Sequence, residues 1–159
     1  MSQPLVGILT GSPSDLETVN QARDTLASLG VAAEVRALSA HRTPDLVVEY
    51  VRAAESRGIR VLIACAGMSA HLAGIVAAHT QLPVIGVPLA SGPLSGLDAL
   101  LSIVQMPPGV PVATVGVGGV ENAGFLAARI LALQHPEIRA KLEESAAAQR
   151  RRYQSANAQ

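Results

Sequence analysis

Three short polar segments of the chain contain residue types that could bind and process an anionic substrate. They are 11–15 (Gly-Ser-Pro-Ser-Asp), 39–44 (Ser-Ala-His-Arg-Thr-Pro) and 66–72 (Ala-Gly-Met-Ser-Ala-His-Leu). Hydroxyl groups, an arginine and backbone N–H groups at helix N-termini are good donors to phosphate. Two segments also contain a histidine, His41 and His71, whose ring can give and take protons near neutral pH. The segments therefore predict a phosphate site with groups for proton transfer.

Each of these residues also has a purely structural interpretation. Ser14 with Glu17 matches a capping box at the start of a helix, and Thr43 matches a helix cap followed by a proline. Asp15 is favoured in a first turn by the helix dipole, and Arg42 could form a surface ion pair. A single histidine is more often structural than catalytic. Two histidines in strand-end loops of one sheet favour a functional site.

The polar segments lie between alternating strand and helix patterns. Apolar runs predict strands at 5–10, 33–38, 59–65, 84–87 and 110–115. Apolar residues at helical spacing predict helices at 16–29, 44–57, 70–80, 97–104 and 122–133. Continuous apolar strands that alternate with helices are typical of a parallel sheet covered on both faces. We therefore expect an α/β, flavodoxin-like, doubly wound sheet of five parallel strands in three layers, with an extra C-terminal helix.

This fold class places ligands beyond the carboxyl ends of the strands, and all three polar segments follow a predicted strand. The sequence contains no internal repeat or linker, so we expect one catalytic domain over 1–159. Residues 137–155 predict a charged C-terminal helix with no strand after it. That helix either packs on a neighbouring subunit or is solvated, and the pattern is compatible with both.

The composition excludes several classes of protein. Hydrophobic residues make up 49% of the chain, yet no apolar run reaches the roughly 18 residues that a membrane span needs. We interpret the high hydrophobic fraction as apolar surface that is buried between subunits, which favours an oligomer. The net charge is zero and aromatics are 2%, so no nucleic-acid surface is indicated. A single cysteine, Cys65, and the lack of a secretion signal predict a cytoplasmic protein.

No cofactor motif stands out in the sequence. The four histidines and Cys65 do not have the spacing of metal ligands, so no metal site is expected. We interpret His79 as a packing or surface residue, and His135 as a residue at a helix end that favours a cation. The segment 116–119 (Gly-Val-Gly-Gly) lacks the full dinucleotide-binding fingerprint. The motifs by themselves therefore predict neither a metal nor an organic cofactor.

The polar segments and several later motifs resemble the N5-carboxyaminoimidazole ribonucleotide mutase family of purine biosynthesis. The likeness extends from Val6 to about Leu133 and includes the intact 39–44 motif. It also includes 82–88 (Leu-Pro-Val-Ile-Gly-Val-Pro) and the long run 100–114. The combination is far more specific than any single loop. The resemblance implies an isomerase that moves a carboxyl group from the exocyclic nitrogen of its substrate to ring carbon 4.

The resemblance also implies a role for each site residue. His41 matches the catalytic acid/base, and His71 matches a second active-site histidine beside the pocket for CO2. Asp15 matches the residue that holds the ribose hydroxyls. The positions that hold the phosphate correspond to Ser12, Ser14, Ser39 and Arg42, and we expect the same loops to contribute Ala40, Gly67, Ser69 and Leu72 to substrate binding. The family is known for homo-octamers whose active sites are completed by neighbouring subunits.

The third polar segment departs from the usual mutase pattern, Ala-Gly-Gly-Ala-Ala-His-Leu-Pro-Gly. Met68 stands where glycine is usual, Ser69 where alanine is usual and Ala73 where proline is usual. A serine near this place is also found in the related branch that carboxylates aminoimidazole ribonucleotide directly with CO2. That branch usually has lysine in place of Arg42 and lacks the His71 motif. The alternatives are therefore this direct carboxylase, a non-catalytic nucleotide-binding module, or a purely structural oligomer.

Overall fold

Five parallel strands form one sheet at the centre of the computed structural model, which describes residues 3–157. The strands are Val6–Thr10 (β1), Ala33–Ala37 (β2), Val61–Gly67 (β3), Val84–Leu89 (β4) and Ala113–Thr114 (β5). Their order across the sheet is β2-β1-β3-β4-β5, and every neighbouring pair is parallel. This is the flavodoxin-like order, which confirms the predicted fold class.

Helices cover both faces of this sheet. They are Leu16–Ser28 (α1), Pro44–Ala54 (α2), Leu72–Ala78 (α3), Leu97–Val104 (α4), Val120–Leu131 (α5) and Pro136–Ala156 (α6). Successive side chains of a strand point to opposite faces. Ile8 thus joins a core with α1 and α5, whereas its neighbour Leu9 joins a core with α2, α3 and α4. The strands β1, β3 and β4 are buried on both sides, which explains why they read as continuous apolar runs, whereas the edge strands β2 and β5 are partly exposed.

The last strand is shorter than the sequence predicted. The apolar run 110–115 predicts six residues, but β5 contains two, Ala113 and Thr114. Pro111 has no N–H to give to a neighbouring strand. β5 is also an edge strand, where few partners are available. A short strand at this edge leaves little unpaired backbone for association with another chain.

The predicted helix caps were wrong at two places. Residues Pro13–Asp15 form a 3-10 turn, and Ser14 is inside it instead of capping α1 with Glu17. Thr43 makes no side-chain bond to the first turn of α2. Its Oγ1 instead accepts a hydrogen bond from the N–H of Ser39 at 3.0 Å. Both hydroxyls therefore stabilise the polar loops and not the helices, although Pro44 begins α2 as expected.

The C-terminal helix α6 is present where the sequence predicts it. It begins at Pro136, and among its residues Ile138 is buried, packing with the α5 side of the core. Most of the rest of α6 is exposed, including Tyr153. Within the described range 3–157, no helix is both long enough and apolar enough to cross a bilayer.

A partly buried carboxylate connects the edge strand β2 to α2 and to the turn that follows α2. Glu34 Oε1 accepts a hydrogen bond from the Tyr50 hydroxyl at 2.9 Å and pairs with Arg57 Nη1 at 2.7 Å. The Glu34 side chain is 16% exposed, and Arg57 also stacks over the Tyr50 ring. Burial by itself raises the pKa of Glu34, but the bonds from Tyr50 and Arg57 outweigh it, so its pKa lies below the usual value.

We predict that Glu34→Gln lowers the free energy of unfolding by about 1–3 kcal/mol at neutral pH, because Arg57 loses its carboxylate partner. The pKa of Glu34 is lower in the folded state than in the unfolded chain. Its contribution is therefore present above the unfolded value and lost as pH falls through the folded value. Urea unfolding of both proteins should show the gap closing below the ordinary carboxyl pKa of 4.5. Glu49→Gln, on the exposed face of α2, is the control and should change little. A gap that is independent of pH would contradict the prediction.

Candidate active site

A cavity of about 620 Å³ opens at the carboxyl ends of β1, β2, β3 and β4. It lies where the strand order reverses, which is the expected ligand site of this architecture. The structure brings all the predicted site residues to this one cavity. Its walls contain Ser12, Ser14, Asp15, Ser39, Ala40, His41, Arg42, Gly67, Ser69, His71 and Leu72.

The loop after β1 presents a row of hydrogen-bonded oxygens to the cavity. The hydroxyls of Ser12 and Ser14 lie 2.9 Å apart, and the Ser14 hydroxyl donates to Asp15 Oδ1 at 3.3 Å. Below them, the buried Thr10 hydroxyl donates to the Ser12 carbonyl at 3.4 Å. These bonds fix the direction of the serine side chains before any ligand binds, which lowers the entropic cost of binding.

Arg42 joins the loop after β2 to the loop after β1. Its Nη2 donates to the Gly11 carbonyl at 2.6 Å, and its backbone N–H donates to Ser39 Oγ at 3.2 Å. The guanidinium pairs with no carboxylate within residues 3–157, so the surface ion pair considered as an alternative is not formed. Its positive charge instead stands beside the serine hydroxyls, an arrangement that suits a phosphate group.

The two predicted histidines contact each other directly. His41 Nε2 and His71 Nδ1 lie 2.8 Å apart, and the two rings meet edge to face at 88°. Such a contact needs a proton on one of the two facing nitrogens and a free lone pair on the other. The contact therefore links the two rings through one proton and fixes the orientation of each ring. Both rings are exposed to the cavity and thus accessible to a substrate.

The loop after β3 explains why glycine is usual at the position of Met68. Met68 has φ +55, in the left-handed region that glycine adopts without steric cost. Its side chain is 54% exposed and lies over Gly92, where an added Cβ would come within 3.3 Å of Met68 Cγ. The departure from the family pattern therefore adds a wall at the cavity mouth without changing the type of backbone turn.

One residue that lines the cavity lies outside the three predicted polar segments, Ser91, and sequence reasoning missed it. It lies in the loop after β4, and its hydroxyl is so close to Gly67 that a Cβ on Gly67 would contact it. The segment 90–92 (Ala-Ser-Gly) looks like an ordinary turn in the sequence. Its position could have indicated that it lines the cavity, because it follows a fourth parallel strand that ends at the same edge of the sheet.

The other titratable residues that the sequence singled out do not line the cavity. Burial, followed by the charge of Asp15, raises the pKa of the Cys65 thiol to about 12, so it stays protonated and unreactive. His79 Nδ1 contacts the Ile75 carbonyl at 2.9 Å, which confirms a packing role. The prediction for His135 was wrong: it precedes α6, where a cation is disfavoured, and contacts Glu137 at 3.0 Å. The described part of the chain contains no cluster of three or more His, Cys, Asp or Glu that could hold a metal ion.

Comparison with known proteins decides the family. A family model described as AIR carboxylase matches residues 5–152. This chain belongs to the AIR carboxylase family. Two relatives named N5-carboxyaminoimidazole ribonucleotide mutase support the assignment. The one from Pyrococcus abyssi is 54% identical over 144 residues, which cover 91% of this chain and 83% of the relative. The one from Bacillus subtilis is 56% identical over 144 residues, which cover 89% of each.

A solved structure of the same family confirms the fold. The crystal structure of Treponema denticola PurE superimposes with a TM-score of 0.89 at 30% identity. The match covers 98% of this chain and 97% of the other. The AIR carboxylase fold therefore extends over nearly the whole chain, including the four strand ends that form the cavity.

We predict that Gly67→Ala destabilises the protein by about 1–3 kcal/mol, because the new Cβ overlaps Ser91 in a packed wall. Thermal or urea unfolding measures the effect. Gly11→Ala is the matched control: it lines the same cavity, its φ is not positive, and no atom lies within 4 Å of an added Cβ. The control should change stability by less than about 0.5 kcal/mol. Equal effects at both positions would show that the Gly67–Ser91 approach is not the cause.

Proposed function

We propose that this chain is an N5-carboxyaminoimidazole ribonucleotide mutase, an isomerase of purine biosynthesis. The observation that carries the proposal is the pair His41–His71, in contact at 2.8 Å beside serine hydroxyls and an arginine. The two relatives named as mutases are 54% and 56% identical to this chain, which supports the same activity for it. Residues 5–152, which match the family, include every residue that this chain contributes to the cavity, which supports a single catalytic domain.

In this proposal the loops after β1 and β2 bind the substrate's phosphate. Ser12, Ser14, Ser39 and Arg42 supply hydroxyl donors and one positive charge. Asp15, which accepts from Ser14, has a second carboxylate oxygen to accept from the ribose hydroxyls. The remaining wall residues shape the pocket around the aminoimidazole ring. They are Ala40, Gly67, Ser69 and Leu72.

The proposed reaction breaks a nitrogen–carbon bond and makes a carbon–carbon bond. The carboxylate leaves the exocyclic nitrogen as CO2, and its bond electrons return to that nitrogen, which takes a proton from His41. The electron-rich ring then attacks CO2 through carbon 4. His41 removes the proton from carbon 4, which restores the aromatic ring and returns the histidine to its first state.

The protein's contribution is to hold CO2 and the ring together between these two steps. A cavity that keeps both close converts an encounter in solution into an intramolecular step. Exclusion of water limits loss and hydration of the CO2. His71, which faces His41, orients the imidazole ring of His41. No net proton is consumed, as an isomerisation requires.

We also propose that the chain works as a cytoplasmic homo-octamer. One outer face of α4 is apolar: Leu97, Leu101 and Val104 are spaced as one helical stripe, and each is close to half exposed. Such a stripe is typical of a contact between subunits. Native mass spectrometry of the purified protein should give an eight-fold mass, and a stable monomer would contradict the assembly.

The first experiment supplies freshly prepared N5-carboxyaminoimidazole ribonucleotide without added bicarbonate. We expect rapid formation of the 4-carboxylated product, followed by its ultraviolet absorbance or by chromatography. The comparison supplies aminoimidazole ribonucleotide with high bicarbonate. Product from that mixture alone would overturn the mutase proposal and assign a direct carboxylase. Tight binding of both without turnover would indicate a non-catalytic nucleotide-binding module.

We predict that His41→Asn reduces kcat by at least about 100-fold, because the side chain that moves the proton is lost. Binding of the ribonucleotide should change little, since the serines and Arg42 remain. Steady-state kinetics and calorimetric titration measure the two effects. His79→Asn, which makes the same substitution on a histidine outside the cavity, is the control and should keep normal kcat. Undiminished turnover in the His41 variant would refute its role as the acid/base.

A further inference from the structure

The loop after β4 brings a serine hydroxyl into the cavity from the side opposite the β2 loop. The register pairs Gly67 at the end of β3 with Leu89 at the end of β4. The N–H of Ser91 then donates to the Leu89 carbonyl at 2.9 Å, a tight turn that folds the loop back over β3. As a result, the Ser91 hydroxyl lies directly against Gly67, where no larger residue fits.

The Ser91 hydroxyl is available to a ligand. Within residues 3–157 it makes no hydrogen bond, whereas the hydroxyls of Ser12, Ser14 and Ser39 are all engaged by neighbouring groups. Ser91 is partly buried and lines the same cavity as both histidines. A partly buried hydroxyl has one proton to donate and two lone pairs to offer, and usually finds a partner.

The order of the strands indicates which part of the substrate this hydroxyl would meet. The phosphate-binding residues follow β1 and β2, and Ser91 follows β4, with β3 between. Neighbouring strands lie roughly 4.8 Å apart, so the ends of β1 and β4 are roughly 10 Å apart. That separation is comparable with the length of a ribonucleotide from its phosphate to the far side of its base. Ser91 therefore lies on the side of the cavity where the imidazole ring and its carboxyl group would be.

We infer that Ser91 is a substrate-binding residue whose hydroxyl donates a hydrogen bond to the carboxylate carried by the imidazole ring. The inference rests on the proposed function, since it needs a carboxylated ribonucleotide as ligand. Because Gly67 has no side chain, the Ser91 hydroxyl can approach it closely. Met68 packs on Gly92, the residue after Ser91, and so contacts the loop that carries Ser91. A bond to a charged carboxylate is stronger than one between neutral groups.

The test compares two ligands that differ only in the carboxyl group. Calorimetric titration measures binding of 4-carboxy-5-aminoimidazole ribonucleotide and of aminoimidazole ribonucleotide to the full-length protein and to Ser91→Ala. We expect the variant to bind the carboxylated ligand about 10-fold to 100-fold more weakly, which corresponds to about 1.4–2.8 kcal/mol. Its affinity for the ligand without carboxyl should stay within about two-fold. Ser95→Ala, an exposed serine in the same loop that does not line the cavity, is the control for both ligands.

Every result decides the inference. Selective loss of the carboxylated ligand supports it. Equal weakening of both ligands would show that Ser91 only maintains the loop, and unchanged binding of both would show that the hydroxyl is unused; either overturns the inference. Binding does not require turnover, so the proposed function is judged separately by the activity of the unmodified protein. If the unmodified protein binds neither ligand, the proposed function fails and the inference fails with it.

Discussion

The parallel register of the central strands is the constraint on which the site depends. Thr10 at the end of β1 is paired with Ala37 of β2 and with Cys65 of β3. β1 and β2 end at this level and β3 continues two residues further, to Gly67, so the loops that follow begin within two residues of one another along the sheet and a strand spacing apart. His41 and His71, thirty positions apart in the chain, come within hydrogen-bond distance for this reason. A slip of one residue would send the side chains of the strand to the opposite face and separate the loops.

Polar groups at this edge of the sheet mostly bind each other within and between loops, not the helices that follow. Thr43 bonds to Ser39, and Arg42 reaches the carbonyl of Gly11. The first turns of α1 and α2 are left without side-chain caps, a cost typically near 1 kcal/mol for each cap that is not made. In exchange, the hydroxyl and guanidinium donors of the loops are held in place around the cavity. Such preorganisation favours binding of a charged ligand, because less entropy is lost when it arrives.

Local patterns predicted most of the fold and of the site because both depend on sequence-local physics. Apolar runs gave the strands, helical spacing gave the helices, and polar residues after strands gave the cavity wall. What the patterns could not predict depends on contacts that form only in the folded chain. Ser91 is recognisable only once β4 is placed beside β3, and the hydroxyl of Thr43 has a better partner in Ser39 than in its own helix. The shortness of β5 follows from its position at the edge, which no local pattern encodes.

The departure at Met68 concerns the wall of the cavity more than its backbone. A left-handed φ of +55 at a residue with a side chain costs on the order of 1 kcal/mol, so the loop retains the turn for which glycine is best suited. The added side chain finds space over Gly92, which itself has φ +74 and no Cβ to obstruct it. The side chain of Met68 therefore fits because residue 92 is a glycine and has no Cβ. In the presence of Met68, His41 and His71 are in contact at 2.8 Å and Arg42 reaches the Gly11 carbonyl, so this side chain affects what encloses the candidate site and not these contacts within it.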